Sequence, residues 1–222
     1  MEIEIRHIQK SFRKTHPLKD ISFSAADGSC IALLGKNGSG KSTLLSILAG
    51  VTSADSGSFL LDGTDLFSVP KQLSVRVGYI PQGTPLLEEL SARDNLRLWY
   101  TPDALKHSLE DGVLAMLGIP DFLGVTVSKM SGGMKKRLSI GCAVARDPDI
   151  LLLDEPTAAL DLPCKTIIYD YLADCKKRGK ILILATHDER ELALCDALYI
   201  LRDGVLNPYR YDGDVNDLAD RL

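Results

Sequence analysis

Gly35-Lys36-Asn37-Gly38-Ser39-Gly40-Lys41-Ser42-Thr43 constrains this chain more than any other stretch. It fits G-x-x-x-x-G-K-[ST], follows the continuous apolar run "CIALLG" and opens the helix-periodic "STLLSILAG". A buried strand, a glycine loop and a helix start, in that order, form a cradle for phosphate. Glycines reach backbone angles that turn successive N–H groups inward, and the helix start adds partial positive charge. In such a loop Lys41 reaches the β and γ phosphates and the Ser42 hydroxyl ligates Mg²⁺. The candidate nucleotide-binding residues are therefore Gly35, Asn37, Gly38, Ser39, Gly40, Lys41, Ser42 and Thr43.

A strand that feeds such a loop needs parallel neighbours, and two further apolar runs supply them: "ILLLDE" (150–155) and "ILILATH" (181–187). Ligands of parallel sheets bind beyond the carboxyl ends of the strands. There Asp154 suits the Mg²⁺ shell, and Glu155 is left to polarise a water attacking the γ-phosphate. His187 ends the third run and should point at the same phosphates, although a lone histidine is more often a surface or satisfied core residue. Gln82, in "YIPQG", carries a neutral amide able to ligate Mg²⁺ or orient water; an ordinary loop glutamine is the competing reading. Phe12 is either a ring on which a base stacks or a core or loop phenylalanine.

"KMSGGMKKR" (129–137) raises a second question. Ser131 suits an N-cap, with Gly132 and Gly133 at the first helical positions, which is an anion site by the same physics as the first. A plain cap is the alternative. The cluster Lys135, Lys136 and Arg137 reads as a solvated helix face.

Composition narrows the rest. The 222 residues suit one large domain, or one domain with an inserted subdomain, and the net charge of −4 gives no sign of a nucleic-acid partner. Five cysteines, at 30, 142, 164, 175 and 195, show no paired spacing, which suits free thiols rather than disulfides or zinc. "MEIEIRHIQK" alternates like a strand rather than a signal peptide, and the apolar runs fall well short of the roughly 20 residues needed to span a bilayer. "IEIRHI" and "ISFSA" read as strands around a turn at "KTHP", and "LYILRDGVL" as a closing hairpin. Residues 83–145 lack such strands and show helical patterns in "LSARDNLRLWY" and "LEDGVLAMLGI". The last 15 or so residues are polar and do not suggest a further domain.

In this order the motifs resemble the nucleotide-binding domain of ATP-binding cassette (ABC) proteins across essentially the whole chain. "GKNGSGKST" is similar to Walker A, "ILLLDEP" to Walker B with Glu155 as catalytic residue, and "MSGGM" to the signature. "AALD" resembles the D-loop with Asp161, and "ATH" the switch histidine. The resemblance makes Gln82 the Q-loop residue and Phe12 the adenine-stacking ring. It implies an α/β fold: a P-loop NTPase core (about 1–82 and 146–222) with an antiparallel β subdomain, and an inserted α-helical subdomain (about 83–145). It also implies ATP and Mg²⁺ as cofactors. Two cassettes, identical or homologous, would pair head to tail, so that Ser131, Gly132 and Gly133 face ATP on the other protomer. The resulting expectation is an ATP-hydrolysing subunit on the cytoplasmic face of the membrane, driving a separately encoded permease, with export favoured over import. A soluble ABC ATPase acting on ribosomes or nucleic acid is the alternative. The family's signature begins with Leu and ends with Gln, where this chain has Met130 and Met134. A glutamine there can close a capping box, so its loss weakens the helix start by about 0.5–1 kcal/mol.

Overall fold

The computed structural model describes residues 1–211. Its centre is a parallel set of strands whose composition leaves no alternative to burial on both faces. β3 (Cys30–Leu34), β7 (Ile150–Asp154) and β8 (Ile181–Ala185) are buried at every position. Side chains of successive strand residues point to opposite faces, and the cores divide accordingly. Ile150, Leu152, Ile181, Ile183, Ile31 and Leu33 pack on one face with α1 (Lys41–Leu48). Leu151, Leu153, Leu182 and Leu184 pack on the other, in a core with Leu96, Leu114, Leu138 and Ile168.

The strand order places β8 between β3 and β7, so the three apolar runs are neighbours as their sequences suggest. β6 (Val77–Ile80) pairs with β7 in parallel on one side, and β9 (Ala197–Arg202) with β3 on the other. β9 turns back into β10 (Val205–Tyr209), the expected hairpin. β1 (Glu2–Phe12), β2 (Thr15–Ala26), β4 (Ser56–Leu61) and β5 (Thr64–Asp65) form the antiparallel end of the same ten-stranded sheet. In β1 the buried positions run Ile3, Ile5, Ile8, a break in strict alternation. The register against β2 shifts between Ile5 and Ile8, where His7 has φ 51°. That bulge returns Ile8 to the buried face.

The turn between β1 and β2 lies one or two residues earlier than "KTHP" suggests. Arg13, at φ 46°, and Lys14 form it, and Thr15, His16 and Pro17 already belong to β2. β10 pairs with β2 only at Asp20, so Pro17 lies outside that ladder.

Between β6 and β7 the chain is helical: α3 (Ala92–Arg97), α4 (Pro102–Asp111), α5 (Val113–Met116) and α6 (Gly132–Ala143), with 3-10 turns at Ile119–Phe122 and Val127–Lys129. The pattern "LEDGVLAMLGI" reads as one helix, but the backbone breaks at Gly112, which is extended at φ −116°, ψ −159°. A side chain there would press on the Ser108 backbone. α2 (Pro70–Arg76) precedes β6, and α7 (Leu162–Lys177) and α8 (Glu189–Leu194) flank β8. All five cysteines are free; the Cys30 and Cys195 thiols lie 3.2 Å apart, a proximity their spacing in sequence does not suggest. No helix among the described residues is long and apolar enough to cross a membrane. The polar C-terminal stretch lies, from residue 212 on, outside the described residues.

Leu152 is fully buried at the middle of β7. Leu152→Ala is expected to cost about 3 kcal/mol through lost transfer energy plus an unfilled cavity, read as a lower urea midpoint. A cost under about 1 kcal/mol would be too small for a core position of this kind.

Candidate active site

β3, β7 and β8 end together: Leu33 pairs with Ala185, and Ala185 with Asp154. The chain leaves all three ends in the same direction, carrying the glycine loop after β3, Glu155 after β7 and His187 after β8. Burial along the strands confines polar groups to this edge, and one cleft collects them. Its walls are Asn37, Gly38, Gly40, Lys41, Ser42, Thr43, Gln82, Asp154 and Glu155. Gly35 and Ser39 are not part of this lining. Gly40 caps α1 in the left-handed region at φ 111°, and an added Cβ would meet the Pro17 carbonyl at 2.9 Å. Only glycine serves there.

The Lys41 ammonium, almost enclosed, donates to the carbonyls of Gly35 (2.5 Å) and Lys36 (3.2 Å). Those carbonyls take two of its three donors. Burial pushes its pKa down, and the charges of Glu155 and Asp154 act in the opposite sense. Glu155 holds a left-handed φ of 47°, uncommon for a residue with a side chain. Its backbone N–H donates to Ala185, and its Oε2 accepts from Gln82 Nε2 at 3.0 Å. Gln82 arrives directly from the end of β6, so a fourth strand contributes to the cleft.

Glu155 also lines an adjoining cavity with Thr157, Thr186, His187 and Glu191. His187 is exposed at its surface, yet its pKa is lowered, first by desolvation and then by Lys41, with Glu155 opposing. Asp188, next in sequence, ties this loop to α7: it accepts from Lys165 (2.8 Å) and Tyr169 (2.7 Å). Glu191 is fully buried, accepts from Thr157 at 2.6 Å, and has its pKa raised by desolvation. Sequence reading passed over Asp188 and Glu191, although "THDERE" places both within one turn of the histidine.

The remaining predicted residues stand outside the cleft. Ser131 is the N-cap of α6, its hydroxyl accepting from the Met134 N–H at 3.2 Å. Gly132 borders open space, whereas a Cβ on Gly133 would lie 2.6 Å from the Cys164 Sγ. Asp161 caps α7 by accepting from the Cys164 N–H at 2.9 Å, so the starts of α6 and α7 pack together. Phe12 is an exposed ring with the Lys10 ammonium 5.2 Å from its centroid.

The basic cluster after the signature glycines is not a solvated face. Lys136 is 4% exposed and donates to the carbonyls of Pro81 (2.9 Å) and Gln82 (3.1 Å). Arg137 donates to Leu117 O and lies over the Phe122 ring, and Lys135 pairs with Glu88 at 3.1 Å. A helix whose opposite faces meet the Q-loop and the turn after α5 has little face left for solvent.

The ABC transporter family matches residues 18–158. This chain belongs to it. The Nod factor export ATP-binding protein I of Burkholderia lata is 34% identical over 207 residues, spanning 91% of this chain and 68% of that protein. Its counterpart from Bradyrhizobium diazoefficiens is 36% identical over 209 residues, spanning 92% of this chain and 68% of that protein. Among solved structures, an ATP-binding subunit of an ABC transporter shares the fold at TM-score 0.86 and 24% identity, over 100% of this chain and 99% of that one. A dimeric cassette bound to ADP and Pi shares it at TM-score 0.83 and 24% identity, over 96% of this chain and 100% of that one. The chain is an ABC ATPase, and the comparisons favour the transporter reading over a ribosomal or nucleic-acid role.

The opposed influences on His187 give a signed test. Its NMR titration midpoint is expected below the ordinary value of about 6.5. Lys41→Met should raise the midpoint, because a positive charge is removed, and Glu155→Gln should lower it further. Between the folded midpoint and about 6.5 the unfolded chain binds more protons, so this group's contribution to stability declines as pH falls through that window. A midpoint unmoved by either substitution would place the imidazole out of range of both charges.

Proposed function

We propose that the cleft binds Mg²⁺·ATP and hydrolyses it with Glu155 as general base. The observation that carries this reading is the convergence of loop donors, Lys41, Gln82, Asp154 and Glu155 on one cleft from separate strand ends. The donor set fits the cation: a hydroxyl, an amide oxygen and a carboxylate are hard oxygen ligands, and Mg²⁺ commonly takes few protein ligands alongside water and phosphate. Ser42, Gln82 and Asp154 would hold it, and when bound it would supply positive charge to offset that on the phosphate oxygens. Lys41 and the loop N–H groups orient the phosphates. Glu155 accepts the proton of the attacking water while Gln82 fixes the carboxylate. His187, kept neutral by its surroundings, donates toward the γ-phosphate.

In this reading the chain works as a head-to-tail pair with a second copy or a homologous subunit. Ser131, Gly132 and Gly133 do not line the chain's own cleft, and the open face at Gly132 supports their meeting a partner's ATP. Hydrolysis removes charge that bridges the halves, giving a two-state cycle. A separate permease on the membrane would use that cycle, with this chain bound at the cytoplasmic face and transport directed outward, as the names of the export relatives suggest. The groove lined by Val75, Tyr79, Trp99, Ala143, Arg146 and Pro148 is the surface we assign to that docking. Val75 and Trp99 are 45% and 58% exposed there, and the groove's floor, β6, runs straight into Gln82.

Glu155→Gln should keep ATP affinity within about threefold by calorimetry while turnover falls about 100-fold or more, the scale of general-base removal. With ATP this variant should accumulate as a dimer by light scattering; undiminished turnover would remove Glu155 from the role. Trp99→Asp should release the chain from native membranes with its hydrolysis in solution unchanged. Retention on membranes would exclude the groove as the permease site.

A further inference from the structure

We propose that Lys136 is a positioning residue that links the signature end of α6 to the general base of the same chain, so that each ATP site senses the occupancy of the other. The inference rests on the hydrolytic reading above. Lys136 lies five residues beyond the Ser131 cap on the continuous helix Gly132–Ala143. Its ammonium is buried, and its two hydrogen bonds go to consecutive carbonyls, Pro81 and Gln82. Gln82 in turn donates to the Glu155 carboxylate. Helix, ammonium, Q-loop backbone, amide and carboxylate thus form an unbroken series of contacts.

Stability alone does not call for a lysine at this position. A buried ammonium is desolvated at a cost that an apolar residue of similar volume avoids. What the ammonium adds is a directed hold on a loop that neighbours no other strand of the sheet: β6 is the edge strand, and Gln82 is the second residue past its end. The neighbouring contacts of Lys135 with Glu88 and Arg137 with Leu117 O stiffen the same helix against the rest of the insertion. A shift of α6 would therefore move the Gln82 backbone with it. In the head-to-tail pair, Ser131–Gly133 meet one ATP while Gln82 and Glu155 of that chain act on the other. Lys136 bridges the two, and binding coupled through it is reciprocal.

The test compares Lys136→Met, which removes the donor at similar volume, with Lys136→Gln, whose amide N–H still donates, in the full chain. ATP affinity is measured by calorimetry, turnover at saturating Mg²⁺·ATP, and cooperativity by the Hill coefficient. Lys136→Met should hold ATP affinity within about threefold, lose turnover about tenfold or more, and bring a Hill coefficient above one in the parent down to one. A misplaced catalytic group readily costs this much. Lys136→Gln should recover part of both losses. Turnover and cooperativity equal to the parent in a folded Lys136→Met protein would overturn the proposal. So would a joint fall of thermal stability, affinity and turnover that Lys136→Gln does not relieve, because packing alone would then explain the residue. If Lys136→Met does not fold, unaltered cooperativity in Lys136→Gln and Lys136→Arg overturns it equally. A parent chain that never hydrolyses ATP would overturn the underlying reading and this inference with it, an outcome distinct from an active parent with indifferent variants.

Discussion

The architecture depends on keeping every polar group off the faces of three strands and at one end of them. β3, β7 and β8 are buried at each residue, so apart from Asp154, the last residue of β7, their side chains are committed to the core. The functional groups must stand where the strands stop. That condition brings the glycine loop, the Asp154–Glu155 pair and His187 to one edge without any of them contacting another in sequence. Oriented loop N–H groups, the start of α1 and the Lys41 ammonium then concentrate positive potential against two carboxylates. The helical insertion and the antiparallel strands are arranged around this edge rather than contributing to its depth.

Much of this was legible because it rests on local rules. The runs "CIALLG", "ILLLDE" and "ILILATH" read as buried strands, and the loop from Gly35 to Thr43 points to phosphate. Adjacency of the three strands followed from the need to bring their ends together. What escaped reading depends on long-range packing. Lys136 and Arg137 look like solvent-facing charges because charge runs usually are. Only the fold reveals that the Q-loop carbonyls and Phe122 occupy that space. Glu191 is likewise ordinary until the chain folds Thr157 against it. The break at Gly112 was missed because the apolar periodicity continues across it, and periodicity carries no information about the backbone of Ser108. The turn at Arg13-Lys14 was displaced for the opposite reason: proline and threonine draw attention to a turn that a left-handed arginine makes instead.

The buried charges here are better understood as a set than as pairs. Lys41 and Lys136 are both desolvated, and for each the nearby carboxylates of Asp154 and Glu155 oppose the effect of burial on the ammonium. Neither lysine rests on a carboxylate as its hydrogen-bond acceptor; both donate to backbone carbonyls. The carboxylates are thereby held in a positive field while their oxygens stay directed at the cleft and at Gln82. A direct salt bridge would have satisfied the same charges and consumed the groups that the chemistry needs. The left-handed backbone of Glu155 belongs to the same arrangement, because strain at such a residue persists only where its surroundings over-determine it.

The methionines flanking the signature glycines show how such a site absorbs sequence change. Met134 has no polar group to reach back to the cap, yet the Ser131 hydroxyl still accepts from the Met134 backbone, so the half of the capping box that belongs to serine is intact. The methionine side chain packs instead against the core that contains Leu138 and Phe122, and Met130 is buried in that core outright. Apolar burial of a flexible side chain contributes on the order of 1–2 kcal/mol, comparable to the polar contact given up. The helix start is thus anchored from beneath rather than from its end. That exchange leaves Gly132 bordering open space and Gly133 against Cys164, so the surface offered to a phosphate is set by glycine backbone and the Ser131 hydroxyl. In the proposed head-to-tail pair those atoms are the ones that would face the partner's nucleotide, so the methionine at position 134 alters how the helix is held and not what it presents.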